Sequence, residues 1–175
     1  MRCPCDLSLE QLSLVQKLDV LRRALGGVVM RLRQAESSDL ANVQSIVAAA
    51  YAPYVPLIGR RPMPMDEDYP ARIAAGSVWI TEGEPPEGLV VVADRREGLW
   101  LDNFAVTPQA QGGGLGRMLL AEVEQIARAR GHGRVSLLTN ARFAGAIRFY
   151  VRAGYRETFR RTEYGFDRIY MEKRL

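Results

Sequence analysis

Two spacings of apolar residues alternate along this chain, and each change of spacing marks a new element. Short apolar runs rich in β-branched and aromatic residues are typical of strands. They occupy 28–33, 77–81, 88–93, 99–106, 134–139, 155–161 and 166–172. Apolar positions three and four residues apart indicate amphipathic helices. These helices follow a start signal at 37–39, occupy 115–130 and 143–153, and include a shorter one within 66–75.

The order of these elements predicts an α/β fold with one mixed sheet. The runs 77–81, 88–93 and 99–106 follow one another through short turn sequences, which is typical of an antiparallel meander. The helix at 115–130 then separates 99–106 from 134–139, which indicates two parallel strands joined by a helix. We expect a mostly antiparallel sheet flanked by helices on both faces, with a ligand site at the carboxyl ends of the parallel strands.

Residues 1–28 look like an addition to this domain. Apolar spacing between positions 8 and 25 predicts a helix there, and Gly26-Gly27 ends it. Two interpretations stay open: a helix that binds a partner or a second copy of the chain, or a segment without that role, which is either a loosely docked extension or translated sequence upstream of a true start near 28–30. We therefore divide the chain into an extension, 1–28, and one domain, 29–175.

Composition excludes several classes of protein. The formal net charge is only +4, which favours anionic ligands mildly but does not predict a nucleic-acid interface. No apolar run approaches about 18 residues, so no membrane span or membrane partner is expected. Cys3 and Cys5 are the only cysteines, which is typical of the reducing cytoplasm, and the opening shows no secretory leader. His132 is the only histidine and is expected at the surface, so no metal site is predicted.

A glycine-rich turn joins strand 99–106 to the longest helix. Gly112-Gly113-Gly114-Leu115-Gly116 allows backbone angles and close approaches that a side chain would block. Such a turn points unpaired backbone N–H groups, and the positive end of the helix dipole, at one place. The sequence therefore predicts an anion site, most naturally for a phosphate.

The residues around this turn distinguish between phosphate ligands. A P-loop would need Gly-Lys-Ser/Thr, but Arg117-Met118 follows Gly116. The frame Gln111-x-x-Gly114-x-Gly116, just after Val106-Thr107-Pro108, resembles the acyl-CoA-binding motif of the GNAT family of N-acetyltransferases. Phe149-Tyr150 with Gly154-Tyr155 four residues later resembles the second characteristic region of that family. The resemblance covers about residues 30–175 and implies a single acyl-CoA N-acyltransferase domain.

The resemblance implies where acetyl-CoA would bind. The coenzyme A pyrophosphate is expected on the backbone N–H groups of the turn, and the pantetheine arm along the edge of the preceding strand. Asn140, at the end of strand 134–139, is expected to assist. The cofactor-binding residues are thus expected to be Phe104, Ala105, Val106, Gln111, Gly112, Gly113, Gly114, Leu115, Gly116, Arg117 and Asn140.

Two residues are candidates for the acyl-transfer chemistry. By resemblance, the Tyr150 hydroxyl is the general acid that protonates the departing thiolate; the alternative is a tyrosine that only packs. Asp102 is the one carboxylate inside an apolar strand, so it could deprotonate the amine, directly or through water, or hold the ammonium group. The alternative is a structural aspartate. Strand alternation predicts Asp102 on the same side as Trp100 and Phe104, with Asn103 on the other.

The acceptor is expected to contact the proline-rich segment, 51–70, which five prolines keep from forming a long helix. We expect Tyr51, Tyr54, Arg60 and Asp102 to bind it, although the tyrosines could instead only pack on the sheet. The resemblance implies N-acetylation of a small-molecule or peptide amine by direct transfer, without a metal. The alternative is a catalytically silent coenzyme A-binding module that acts through a protein partner. A homodimer stays open.

Overall fold

The computed structural model describes residues 31–175, and the strands of this part form a seven-stranded sheet of order β1-β2-β3-β4-β5-β7-β6. The strands are β1 Leu32–Gln34, β2 Val78–Thr81, β3 Gly88–Arg95, β4 Gly98–Val106, β5 Arg134–Asn140, β6 Arg156–Glu163 and β7 Phe166–Arg174. Every neighbouring pair is antiparallel except β4 with β5, which confirms the mixed, mostly antiparallel sheet. The predicted extension, 1–28, lies outside the described residues.

Five α-helices connect these strands within the described residues. They are α1 Leu40–Tyr51, α2 Val55–Ile58, α3 Tyr69–Ala74, α4 Leu115–Ala129 and α5 Ala144–Arg152. The two long helices after the glycine turn and after β5 confirm the sequence prediction within one residue at most boundaries. The proline-rich segment is more regular than a loop: it holds α2 and two 3-10 turns, each with a proline in its first turn. None of these helices is both long enough and apolar enough to cross a membrane.

Helices cover both faces of the sheet. On one face, α1 and α3 bury residues such as Val43 and Ile73 against Leu89 and Val91 of β3. The side chains of Val90 and Val92 alternate with these and therefore point to the opposite face, where they are equally buried. Helix α4 contacts β3, β4 and β5, and its buried side chains include those of Leu119 and Val123.

A bulge in β4 sets the position of the site. Val91 of β3 pairs with Asn103, but the next residue, Val92, pairs with Leu101, so Asp102 is the extra residue of a β-bulge. The parallel pairing of β4 with β5 ends at Leu101, although β4 continues to Val106 and β5 to Asn140. The carboxyl ends of the two strands therefore separate and leave a cleft between them.

The bulge also overturns the predicted arrangement of side chains along β4. Trp100 pairs with Ala93 and Phe104 with Val90, and these partners lie three residues apart on β3. Because side chains alternate along a strand, Trp100 and Phe104 occupy opposite faces. The prediction that Trp100, Asp102 and Phe104 share one side was therefore wrong: strict alternation fails where a strand holds one extra residue.

An ion pair fixes the start of α1. Asp39 accepts hydrogen bonds from both terminal nitrogens of Arg33, at 2.6 and 2.8 Å, and from the Glu36 backbone N–H at 2.8 Å. The Arg33 hydrogen bonds, followed by the backbone one, lower the pKa of Asp39 despite its burial. This confirms the start signal that the sequence places at 37–39.

We expect Asp39→Asn to lower the free energy of unfolding at pH 7 by about 1–2 kcal/mol, because it removes a charged cap. A lowered pKa means that the stabilisation is complete above the unfolded value of about 3.9 and disappears as the pH falls through the folded value. The difference between wild type and variant, measured by urea unfolding, should therefore shrink below pH 4. The matched control is Asp66→Asn, because Asp66 makes only an exposed pair with Arg61 and should change stability by less than about 1 kcal/mol.

Candidate active site

The separated ends of β4 and β5 open into a cavity of about 950 Å³. One part of its wall is the glycine-rich turn before α4, and a second is the end of β4 with α5. A third part, which we call the acceptor wall, comes from the proline-rich segment, α3, the β3–β4 hairpin and β7. The acceptor wall includes Tyr51, Tyr54, Met63, Glu67, Arg72, Arg95, Trp100, Asp102, Phe166 and Arg168.

The glycine-rich turn presents a row of unpaired backbone donors. Six consecutive N–H groups, from Gly112 to Arg117, donate no hydrogen bond to any residue within 31–175. The first bond of the helix is from the Met118 N–H to the Gly114 carbonyl, at 3.1 Å. The Gln111 side chain donates to the Val106 carbonyl at 3.0 Å and so ties the turn to the end of β4.

Glycine is required in this turn by backbone angle rather than by crowding. Gly112 and Gly114 have φ values of 85° and 94°, a region that side chains disfavour. A Cβ at either position would meet no atom within 4 Å. The space before the N–H groups is thus open, and free donors at a helix N-terminus suit a phosphate group.

Three arginines add positive charge near the turn. Arg117 is in the first turn of α4, and Arg148 and Arg152 are on α5; all three line the cavity and are exposed. None has an ion-pair partner among the described residues. Together with the free N–H groups, they make this part of the cavity suitable for a ligand with several phosphates.

The other predicted cofactor residues divide into two groups. Phe104, Ala105, Val106 and Asn140 all line the cavity. The Asn140 side chain accepts a hydrogen bond from the Arg142 N–H at 2.9 Å and so shapes the turn before α5. Gly113 and Leu115 do not line the cavity: the side chain of Leu115 is buried under the helix, and both residues offer only a backbone N–H.

Tyr150 is buried at the centre of an aromatic cluster on α5. Its ring lies edge-on to Phe104 and Tyr155, at centroid distances of 6.1 and 5.8 Å. Its hydroxyl makes no hydrogen bond with other residues of the described chain, and the residue lines the cavity. Burial, followed by the nearby Tyr54, raises the pKa of Tyr150 above its usual value. The phenol therefore remains a proton donor at neutral pH.

Asp102 lies at the bulge with arginines on both of its oxygens. Arg95 donates to Oδ1 at 2.8 Å, and Arg72 lies 3.2 Å from Oδ2. The aspartate side chain is only 13% exposed. The two guanidinium groups around this one carboxylate join α3 to the β3–β4 hairpin.

Asn103 holds part of the cavity wall in place, a contact that sequence reasoning missed. It is buried, accepts the Tyr51 hydroxyl at 2.7 Å and donates to the Tyr69 hydroxyl at 2.9 Å. Tyr69 in turn donates to the Pro64 carbonyl at 2.7 Å. This chain of hydrogen bonds attaches the proline-rich segment to β4. The available signal was an amide side chain beside Asp102 in an otherwise apolar strand.

The structure brings only part of the predicted acceptor set together. Tyr51 lines the cavity, but its hydroxyl is occupied by Asn103, and burial raises its pKa. Tyr54 also lines it and packs against Phe143 at a centroid distance of 4.1 Å. Arg60 does not line the cavity.

Arg60 is held elsewhere because its guanidinium has other partners. It donates to the Tyr164 carbonyl at 3.1 Å and stacks 4.1 Å from the Phe166 ring centroid. It therefore supports the β6–β7 turn. His132 also lies outside the cavity and contacts Asp94 at 2.7 Å. Within residues 31–175, no cluster of three or more metal-ligating side chains is present.

Comparison with known proteins gives one family. The model of the acetyltransferase (GNAT) family matches residues 44–155. A search of curated proteins finds no match. Among solved structures, the PaiA N-acetyltransferase of Thermoplasma acidophilum in complex with coenzyme A is similar, with 15% identity over 85% of this chain and 100% of that one, and a TM-score of 0.71.

Two further solved structures share the fold. Ard1 of Thermoplasma volcanium is 18% identical over 85% of this chain and 99% of its own, with a TM-score of 0.66. YncA of Salmonella typhimurium, solved with its cofactor acetyl-CoA, is 21% identical over 83% of this chain and 93% of its own, with a TM-score of 0.62. At these identities the likeness shows the fold alone.

We expect Asn103→Ala to lower the free energy of unfolding by about 1–3 kcal/mol, because it removes the closer acceptor of the part-buried Tyr51 hydroxyl and leaves only the Phe104 carbonyl at 3.4 Å. The double variant Asn103→Ala/Tyr51→Phe removes both partners. Its loss of stability should be smaller than the sum of the two single losses by about 0.5 kcal/mol or more. Urea unfolding of the four proteins measures this coupling. Strict additivity would show that the hydrogen bond contributes nothing.

Proposed function

The chain belongs to the GNAT family of acetyltransferases, and from that premise we propose that it transfers the acetyl group of acetyl-CoA directly to a primary amine. The observation that carries this proposal is the shared cavity: it is lined both by Tyr150, whose hydroxyl is unpaired among the described residues, and by Gly112, Gly114, Gly116 and Arg117, four of the six residues with free N–H groups. Acetyl transfer from acetyl-CoA needs both features in one cavity, because the phosphates anchor the thioester and its sulfur must lie near a proton donor.

We propose that the glycine-rich turn holds the pyrophosphate of coenzyme A. The N–H groups from Gly112 to Arg117 supply donors, and the arginines on α4 and α5 supply charge for further phosphates. Beyond Leu101, the edge of β4 that faces β5 has no strand partner. The Val106 carbonyl accepts from Gln111 and the Phe104 carbonyl from the Tyr51 hydroxyl, at 3.0 and 3.4 Å. The other backbone groups of this edge between Phe104 and Val106 are available to pair with the amide groups of the pantetheine arm.

The chemistry requires one bond to form and one to break. Acetyl-CoA supplies an acetyl group activated as a thioester. The amine nitrogen forms a bond to the carbonyl carbon and the carbon–sulfur bond breaks. The proton lost by the nitrogen passes to solvent water, the departing thiolate gains one from its proton donor, and that donor is reprotonated from solvent. We propose that the Tyr150 hydroxyl donates the proton to sulfur, because its raised pKa keeps it protonated and no residue of the described chain occupies it.

For Asp102 we propose a positioning role. The sequence leaves open whether it accepts the proton of the amine or holds the ammonium group. Its ion pairs with Arg72 and Arg95 favour holding the acceptor wall in place. Direct transfer is favoured over a covalent intermediate because positions 6–175 hold no cysteine.

The decisive test joins turnover to binding. Release of free coenzyme A thiol is followed with acetyl-CoA and a panel of amino acids, polyamines, peptides and aminoglycosides, beside a thermal-shift measurement with coenzyme A. Amine-dependent thiol release supports the proposal. Stabilisation by coenzyme A without turnover on any amine favours the silent binding module instead, and no stabilisation would reject both.

We expect Gly114→Ala to weaken coenzyme A binding at least about tenfold, because the φ of 94° is strained for alanine and relaxation of the turn would displace the N–H groups. Isothermal titration calorimetry measures the affinity, and circular dichroism checks folding. The matched control is Gly133→Ala, in the turn after the other end of α4, where a Cβ meets nothing within 4 Å and no positive φ occurs. Equal affinity of both variants would contradict the assignment.

We expect Tyr150→Phe to lower kcat by at least about 100-fold, the lower range for loss of a general acid, with less than about a threefold change in the KM for acetyl-CoA. Tyr155→Phe is the control, since Tyr155 packs on Tyr150 and its buried hydroxyl has no partner among the described residues. Steady-state kinetics at pH 7.5 compare the two. An unchanged kcat in Tyr150→Phe would remove Tyr150 from the mechanism.

A further inference from the structure

Arg168 places a cation at the mouth of the cleft. It is on β7, directly opposite Asn140, the last residue of β5. Its side chain lines the cavity and is only 11% exposed. A guanidinium group so deeply buried normally has carboxylates or carbonyls around it, because a charge without partners is costly to remove from water.

The partners of Arg168 within residues 31–175 are weak. The nearest carboxylate oxygen, Glu163 Oε2, is 3.7 Å away, beyond hydrogen-bond distance. Among the described residues, the Arg168 side chain makes one hydrogen-bond contact, from Nη2 to the Met63 sulfur at 2.7 Å. A thioether sulfur is a weak acceptor. Glu163 also forms an ion pair with Arg161 and accepts a hydrogen bond from the Tyr170 hydroxyl. Most of the five N–H donors of Arg168 thus have no strong acceptor.

The rest of the acceptor wall does not neutralise this cation. The wall holds three arginines, Arg72, Arg95 and Arg168, against two carboxylates, Glu67 and Asp102. Both carboxylates are already paired: Glu67 with Arg72 at 3.0 Å, and Asp102 with Arg72 and Arg95. Within the wall, Arg168 therefore has no carboxylate partner; the nearest one, Glu163, lies outside the wall at 3.7 Å and is shared with Arg161.

We propose that Arg168 binds a carboxylate of the acceptor, and that the acceptor is an amino acid whose amine is acetylated. This inference rests on the proposed acetyltransferase function and names its substrate class. A carboxylate matches the planar fork of a guanidinium and would satisfy two of its donors at once. Tyr54, Met63 and Phe166 give the neighbouring wall an apolar surface that suits an apolar side chain.

Other amine classes fit this wall less well. A polyamine would bring a second cation towards a wall that already has excess positive charge. The terminal amine of a peptide is followed by an amide, which offers one carbonyl oxygen and no charge. An α-amino acid carries its amine and its carboxylate on the same carbon. Its transfer product is the N-acetyl amino acid with the carboxylate unchanged.

The test compares each amino acid with its own amide. Thiol release from acetyl-CoA is measured for the proteinogenic amino acids and for the corresponding amino acid amides, which keep the amine and side chain but lack the charge. We expect kcat/KM for the best amino acid to exceed that of its amide at least about tenfold, the value of a charge-assisted pair. In Arg168→Gln this ratio should fall to about one, through KM for the amino acid and with little change in kcat.

Controls separate the substrate class from the function. Arg128→Gln, on an exposed face of α4 away from the cavity, should keep the wild-type ratio. Arg168→Lys should restore part of the preference, since it keeps the charge without the fork. Because a folding defect would also lower activity, the thermal shift with coenzyme A must stay within the wild-type range for each variant.

A preference for amino acids that disappears in Arg168→Gln would support the carboxylate site. Amides acetylated as well as amino acids, or a ratio unaffected by Arg168→Gln, would overturn the site while the acetyltransferase function stands. Turnover confined to polyamines or peptides would overturn it as well. Turnover on no amine, with coenzyme A still bound, would overturn this inference together with the proposed function.

Discussion

The interruption of hydrogen bonding between β4 and β5 is the constraint on which the site depends. A regular parallel pair would bury its backbone groups in a ladder and leave no space between the strands. The extra residue at Asp102 ends the ladder at Leu101, so the last residues of both strands diverge. The cavity, the free edge of β4 and the position of Tyr150 above it all follow from that separation.

The same bulge places two adjacent polar residues where they can hold the acceptor wall. Asn103 attaches to the tyrosines of α1 and α3, and Asp102 attaches to the arginines of α3 and the β3–β4 hairpin. A strict strand would have directed these neighbours to opposite faces. Buried polar groups must be paired to be tolerated, so this network gives the proline-rich segment a defined position despite its few regular hydrogen bonds.

Electrostatics divides the cavity into two kinds of surface. Near the glycine-rich turn, charge comes from backbone N–H groups and exposed arginines, a combination suited to phosphates in contact with water. On the acceptor wall, the charges are partly buried and are paired with each other, except that the nearest carboxylate to Arg168 is Glu163, which is 3.7 Å away and outside the wall. The two surfaces therefore differ in how strongly water and salt screen their charges: screening is strong at the exposed arginines and weaker at the partly buried ones.

The order of the elements, the mixed sheet and the glycine-rich turn before α4 could all be predicted from the amino-acid sequence. These features depend on local properties: apolar spacing, and glycines such as Gly112 and Gly114 whose positive φ is a requirement within a few residues. The faces of β4, the contacts of Asn103 and Arg168, and the exclusion of Arg60 from the cavity became evident only in three dimensions. One inserted residue reverses a strand's faces without a signal in the pattern, and a long side chain takes its partner from segments far away in the chain.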